Sequence, residues 1–188
     1  MENLNIEKIT RKVSLEEYRR EYQDVEKFLG YCEKCRNFGK QWVCPPFDYD
    51  INEVLDQFQT VELIGYKLIL PQEIIDKEMS MWDKRAVSDQ YLTQFRTMID
   101  PELWELEAQH PGSRAFYAGS CHLCDPMTCT RTSESPAPCR HPSRARNSLE
   151  NFGFDLMRTA DELLGTPMLW IKDDKLPPYY FFVAALMY

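Results

Sequence analysis

No apolar run in this sequence approaches the roughly 18 to 20 residues that a bilayer-crossing helix needs, so no membrane-spanning helix is expected. The opening residues, Met1-Glu2-Asn3-Leu4-Asn5-Ile6-Glu7, carry neither the basic stretch nor the apolar core of a secretory signal. A cytoplasmic protein without membrane contact is the expectation. Basic charge is also in deficit, 22 Lys and Arg against 30 Asp and Glu, which leaves a net charge of −8. A chain this acidic has no general attraction for nucleic acid, and that class of partner is set aside. Also missing are a glycine-rich phosphate loop, a dinucleotide fingerprint, a nucleophile elbow, a paired-histidine zinc helix and the Cys-x3-Cys-x2-Cys run of the common radical enzymes.

What is present is enough apolar material for a core, 44% hydrophobic residues with 13% aromatics, which excludes a wholly disordered chain. The 188 residues fit one domain, 1–188. Seven cysteines are the informative feature. A reducing compartment keeps thiols from pairing, and an odd number cannot be consumed by disulfides within the chain, so metal ligation or redox chemistry is the better default. Cys32, Cys35 and Cys44 fall in a first cysteine loop, 31–46, and Cys121, Cys124, Cys129 and Cys139 in a second, 119–142.

Residues 1–30 read as an N-terminal helical segment, in which Leu15, Tyr18, Tyr22, Val25 and Leu29 share one helical face. Ser14 and Glu17 form a capping box at its start and Gly30 is its stop. Gly39 and Cys44-Pro45-Pro46 imply irregular backbone until Asp50 caps a short helix with Ile51, Val54, Leu55 and Phe58. Strands are expected at Val61 to Leu70, Arg114 to Gly119, Met168 to Ile171 and Tyr179 to Met187. Between the first two lies a long or interrupted helix that restarts at Asp100-Pro101. Asn147 is placed to cap a further helix ending at Gly165. The fold class is α+β: about four mostly antiparallel strands with packed helices and cysteine-rich metal-binding loops. The aromatic end, Trp170 with Tyr179 to Phe182, reads as strand core covered on both faces.

Cys121-x2-Cys124-x4-Cys129-x9-Cys139 offers four thiolates, matching the corners of a [4Fe-4S] cluster or the positions around tetrahedral zinc. Pro126, Pro138 and Pro142 restrict the loop and reduce the entropy lost on binding, and with Pro136 they keep it irregular. Structural zinc sites usually close on a second tight pair; Cys129 and Cys139 arrive singly, which favours iron–sulfur, with zinc as the competitor. Cys32-x2-Cys35-x8-Cys44 offers only three thiolates. Its remaining position is open to His110, His122 or His141, to a carboxylate, or to no protein group. In the last case an exchangeable metal position would suit catalysis. A three-cysteine zinc site and a single cluster shared by both loops stay open as alternatives. Arg140, Arg144 and Arg146 follow Cys139 in an otherwise acidic chain and would offset the charge of a thiolate cluster or bind a small anionic substrate.

The segments Gly119-Ser120-Cys121-His122-Leu123-Cys124, Pro138-Cys139-Arg140-His141-Pro142, Ser148-Leu149-Glu150 and Gly153-Phe154-Asp155 resemble a family of prokaryotic proteins of unknown function described as predicted metal-binding proteins. Cys32-x2-Cys35 with Trp42-Val43-Cys44-Pro45-Pro46 resembles its opening motif. The resemblance spans roughly residues 30 to 188. It implies a cysteine-ligated metal centre of anaerobic or microaerobic prokaryotes, with ligand roles for Cys121, Cys124, Cys129 and Cys139 and then Cys32, Cys35 and Cys44, and it assigns no reaction. Two functions are therefore carried forward. One is an iron–sulfur protein, with one [4Fe-4S] cluster and room for a second, serving electron transfer with a redox partner protein or acting as an oxidoreductase on a small substrate. The other is a non-catalytic, zinc-stabilised protein-interaction module.

Overall fold

The computed structural model describes residues 4–124, 128–132 and 137–188. Four strands form one sheet: β1 (Asn5–Ser14), β2 (Thr60–Ile69), β3 (Arg114–Phe116) and β4 (Tyr179–Met187), in the order β1-β2-β4-β3 with every neighbouring pair antiparallel. Around it lie α1 (Leu15–Tyr22), α2 (Val25–Cys32), α3 (Ile51–Leu55), α4 (Gln72–Ile75), the long α5 (Met81–Gln109) and α6 (Leu156–Arg158), which runs on as a π-helical turn, Thr159–Leu163. Short 3-10 turns occupy Thr130–Thr132 and Leu149–Phe152. The arrangement is α+β, the class that the sequence implies. No helix among the described residues is long and apolar enough to cross a membrane.

Strand periodicity divides the core into two. Val61 and Leu63 of β2 with Phe181, Val183, Ala185 and Met187 of β4 face a layer built from α1, α3 and the 149–164 segment, where Leu15, Tyr18, Leu55, Phe152 and Phe154 are buried. Ile64, Tyr66 and Leu68 with Tyr180, Ala184 and Leu186 face the other way, onto Phe95, Ile99 and Leu103 of α5. Both faces of the central strands are covered, which is why their sequences show little polar alternation. Gly65 of β2 leaves room for a side chain of the neighbouring strand: a Cβ there would lie 2.4 Å from Cζ of Phe181.

Several elements differ from the sequence reading. Residues 5–14, assigned with the N-terminal helical segment, form the edge strand β1, whereas Met168 to Ile171 forms no strand. The first helix is two. Ser14 does cap α1, its Oγ accepting from the Glu17 N–H at 3.5 Å. The chain then turns at Asp24, which caps α2 through the Lys27 N–H (3.0 Å) and donates its own N–H to the Gly153 carbonyl. Gly30 lies inside α2, so Cys32 is the last helical residue. Pro101 neither starts nor breaks a helix but sits within α5. Asn147 caps nothing; its amide is committed to the Val43 carbonyl and to Arg114. Pro126, expected to stiffen the second loop, and Pro136, expected to keep it irregular, lie outside the described residues.

Because Phe181 is buried against Gly65, the ring cannot yield to an added methyl without moving its neighbours. Gly65→Ala should cost about 1–3 kcal/mol of folding stability, measured by urea denaturation at an unchanged m-value.

Candidate metal centre

Cys32 comes to its place as the final residue of α2, and Cys35 follows in the turn beyond, its N–H bonded to the Cys32 carbonyl at 2.9 Å. The segment then reverses through Gly39, whose φ of 67° belongs to the left-handed region and whose N–H reaches the Pro45 carbonyl at 2.8 Å. This returns Cys44 under the loop, where it is buried while Cys35 remains exposed. The Cys44 thiol donates to Gln41 Oε1 at 3.6 Å and the Cys32 thiol to Asn151 Oδ1 at 3.8 Å.

The second loop leaves β3 and is tied to α5 by a buried ionic knot. Arg96 donates to both carboxylate oxygens of Asp100 (2.9 and 3.0 Å), and its Nη1 also donates to the carbonyls of Ala118 (2.7 Å) and Ser120 (2.9 Å). His122 Nε2 lies 2.5 Å from Asp100 Oδ2. The residues on either side of Cys121 are thus fixed to one helix. Further on, Thr130 Oγ1 donates to the Pro138 carbonyl, which joins the residue after Cys129 to the residue before Cys139, and the His141 N–H donates to Cys139 Sγ at 3.4 Å.

The two loops, distant in sequence, are interlocked. Arg131 donates through Nη1 to the carbonyls of Gln41 and Cys44 and through Nη2 to that of Pro46, with its guanidinium 5.5 Å above the Trp42 ring. Gln41 Nε2 reaches the Cys121 carbonyl at 3.0 Å, and Trp42 Nε1 reaches Thr130 Oγ1 at 3.0 Å. Asn147 and Asn151 both donate to the Val43 carbonyl at 2.9 Å.

The thiol electrostatics follow from this packing. Burial pushes Cys44 up to about 12, the sulfurs of Cys35, Cys32 and Cys121 add to the rise, and Arg131 opposes it. Burial also raises Cys121; the Leu123 backbone N–H pulls it back, and Cys139 and Cys124 push it up again. Cys32 is raised by burial first, then by Glu150 and Cys35. Cys121 therefore lies within the electrostatic reach of both cysteine sets. A crowd of half-buried thiols cannot ionise together without a cation, and a metal ion removes that obstacle because a coordinated thiol loses its proton.

All seven cysteines are free thiols. Among the described residues no three Cys, His, Asp or Glu side chains stand close enough together to hold one ion. The donors are neighbours rather than a closed cage. Of the histidines considered for the incomplete first set, His110 is at the far end of α5, bonded to the Leu106 carbonyl and stacked on Tyr188, and His122 has Nε2 committed to Asp100. Arg144 lies over the Trp104 ring and Arg146 makes two bonds to Glu107, so both face α5; Arg140 stays with the second loop, on the Thr128 carbonyl. Sequence reasoning missed Arg131, Gln41, Asn151 and the Arg96–Asp100 pair. The only available signal was a lone arginine between Cys129 and Cys139.

The site is thus an α+β frame presenting two interlocked, thiol-rich loops. Over residues 19–187 the chain matches the family described as predicted metal-binding protein (DUF2284), and it belongs to that family. Comparison with curated proteins and with solved structures finds no match for the chain.

Burial alone would raise the Asp100 carboxyl, but its hydrogen bonds from His122 and Arg96 outweigh that and hold it below the ordinary carboxylate value. Its contribution to stability is complete above a pH of about 4 and is lost as pH falls through the lowered value. The melting temperature of the wild type should therefore fall more steeply in acid than that of Asp100→Asn. At neutral pH that variant should be weaker by about 3–5 kcal/mol, because Arg96 is left buried without its counter-charge. Arg131→Ala removes the shared donor of three loop carbonyls and should cost about 1–3 kcal/mol, with faster proteolysis near residues 41–46 as the local readout.

Proposed function

We propose that this protein is an iron–sulfur protein that transfers electrons or activates a small substrate by redox chemistry, with Cys121, Cys124, Cys129 and Cys139 holding a [4Fe-4S] cluster and Cys32, Cys35 and Cys44 holding a second metal. The observation that carries the reading is the position of Cys121, whose sulfur bears on Cys44 from one side and is itself raised by Cys124 and Cys139 on the other. Two cysteine sets that share a neighbour in this way suit two adjacent centres or one shared cluster.

The donor chemistry fits. Seven free thiols are available, and backbone N–H groups of Leu123 and His141 are directed at Cys121 and Cys139, as cluster sulfurs require. When bound, such a cluster supplies one-electron redox chemistry. The protein's part is to hold and tune. Arg131, beside Cys44, adds positive charge that favours thiolate, and Arg140 adds it to the second loop. The Arg96–Asp100 pair fixes the backbone around Cys121 so that the thiolates reorganise little on binding. Arg144 and Arg146 pack on α5, which leaves Arg140 as the member of the trio that we assign to a small anion or a partner protein.

Anaerobically purified protein should be brown, should contain iron and acid-labile sulfide, and should give a low-temperature electron spin resonance signal on reduction. Stoichiometric zinc with no iron would overturn the iron–sulfur reading in favour of the zinc-stabilised interaction module, and a chain that takes up neither metal would overturn both. Cys129→Ser should remove one centre and leave the other; equal loss of both would show a single shared cluster.

A further inference from the structure

We infer that the outer edge of β1 is a pairing surface for a second copy of this chain, the two β1 strands running antiparallel about a two-fold axis at Ile9 so that Glu7 of each copy faces Arg11 of the other.

β1 stands at one end of the sheet order β1-β2-β4-β3 and is 10 residues long. One row of its backbone groups is spent on β2; among the described residues no strand, bridge or backbone bond from another segment reaches the other row. So long an open edge is a template for a further strand. At the opposite end of the sheet β3 offers only Arg114–Phe116, so head-to-tail pairing of sheets has little to grip, whereas β1 against β1 closes on itself.

The register of that pairing follows from the fold. Antiparallel edge strands from two copies are related by an axis perpendicular to the sheet, and such an axis keeps each helical layer on its own side. Residues directly opposite one another must then share a face. Ile9 and Val13 pack on the first core, the side on which Arg11 reaches the Leu163 carbonyl at 3.0 Å; Ile6 packs on the second, with Lys8 paired to Glu102 of α5. The axis must therefore pass through a residue and not between two. Placed at Glu7, Lys8 or Arg11, it would set that residue against its own copy, and placed at Thr10 it would set Lys8 against Lys12. At Ile9 the opposed pairs are Glu7 with Arg11 on one face and Lys8 with Thr10 on the other, and no like charges stand directly opposite.

The side chains are disposed for this register. Glu7 and Arg11 are both exposed; Glu7 gives Oε2 to Lys67 at 3.0 Å and Arg11 spends Nη1 on Leu163, which leaves Oε1 and Nη2 for the other copy. Lysines commonly blunt a sheet edge, but here Lys8 is neutralised by Glu102 and Lys12 by Glu62 at 3.4 Å, each within its own chain. Ile9 is partly buried and stands opposite Gly65 in the ladder, the glycine against which the Phe181 ring lies. An Ile9 pair on the axis thus carries the first core from one copy into the next. The β3 edge, from which the second cysteine loop departs, is left outermost.

The test is sedimentation velocity of the full-length protein, diluted from about 100 μM to about 0.1 μM, with reductant present so that no intermolecular disulfide contributes. Wild type, Glu7→Arg, Arg11→Glu and an equimolar mixture of the two variants are compared, with circular dichroism to confirm folding. The wild type should dimerise. Each variant alone opposes like charges at both Glu7–Arg11 contacts and should weaken dimerisation by at least about tenfold. The mixture should regain it, because in a mixed pair every position 7 again meets the opposite charge at position 11; a strand that was merely damaged would not be rescued by mixing. A wild type that stays monomeric throughout would overturn the inference, as would a dimer indifferent to both substitutions, which would form through another surface. Loss in each variant without recovery in the mixture would overturn it too. Should a variant fail to fold, hydrogen exchange of the wild type decides: the β1 amides should exchange more slowly as concentration rises, and rates independent of concentration would overturn the pairing.

Discussion

A stretch of backbone without regular structure still has to satisfy its carbonyls, and in the segment from Gln41 to Pro46 side chains from elsewhere serve those of Gln41, Val43, Cys44 and Pro46, while the Gly39 N–H of the same loop serves that of Pro45. Arg131 takes the carbonyls of Gln41, Cys44 and Pro46, while Asn147 and Asn151 share that of Val43. Cys44 is consequently held by residues of the second loop and the turn that follows it, and the bond from Gln41 to the Cys121 carbonyl returns the constraint. The two cysteine segments thus brace each other, the first through Arg131, Asn147 and Asn151 and the second through Gln41.

The sheet makes this mutual arrangement possible by fixing the places where the loops leave it. The first loop departs from the layer on one face, through α2, and returns to it through α3; the second leaves from β3 and is pinned to α5 on the other face by Arg96. The loops thus bridge the two layers across one end of the fold. A buried ion pair is weak grounds for stability in general. Here Arg96 also donates to two carbonyls of the chain leading into Cys121, and Asp100 also holds His122, so the pair specifies geometry at a point where the backbone has no ladder of its own.

What the sequence disclosed follows the same physics. The central strands β2 and β4 were legible because both faces are buried and their residues are apolar and β-branched or aromatic. β1 was not: as an edge strand it buries only parts of Ile6, Ile9 and Val13 and exposes Glu7, Arg11 and Lys12, so its composition resembles a polar terminus. Met168 to Ile171 had strand-like composition but has no strand to pair with, and Trp170 is left 56% exposed. The helix break before Asp24 and the continuous helix through Pro101 were both decided by tertiary partners, Gly153 in the first case and the buried residues Arg96, Ile99 and Leu103 in the second. Cysteine spacing identified the candidate donors but not their grouping, because grouping depends on Arg131 and Gln41, whose types carry no metal signature.

The same grouping sets the electrostatic problem that a metal would solve. Cys44, Cys121 and Cys32 are each raised first by burial, and neighbouring sulfur or carboxylate adds to the rise, so the loops favour protonated thiols that neither repel one another strongly nor need a counter-ion. On the reading proposed above, binding would exchange such protons for a cation or cluster. Arg131 spans both loops, holding three carbonyls of the first from its place in the second. The frame of sheet and α5 carries its own core on both faces, and on the reading proposed above a metal would complete the bridge at its end.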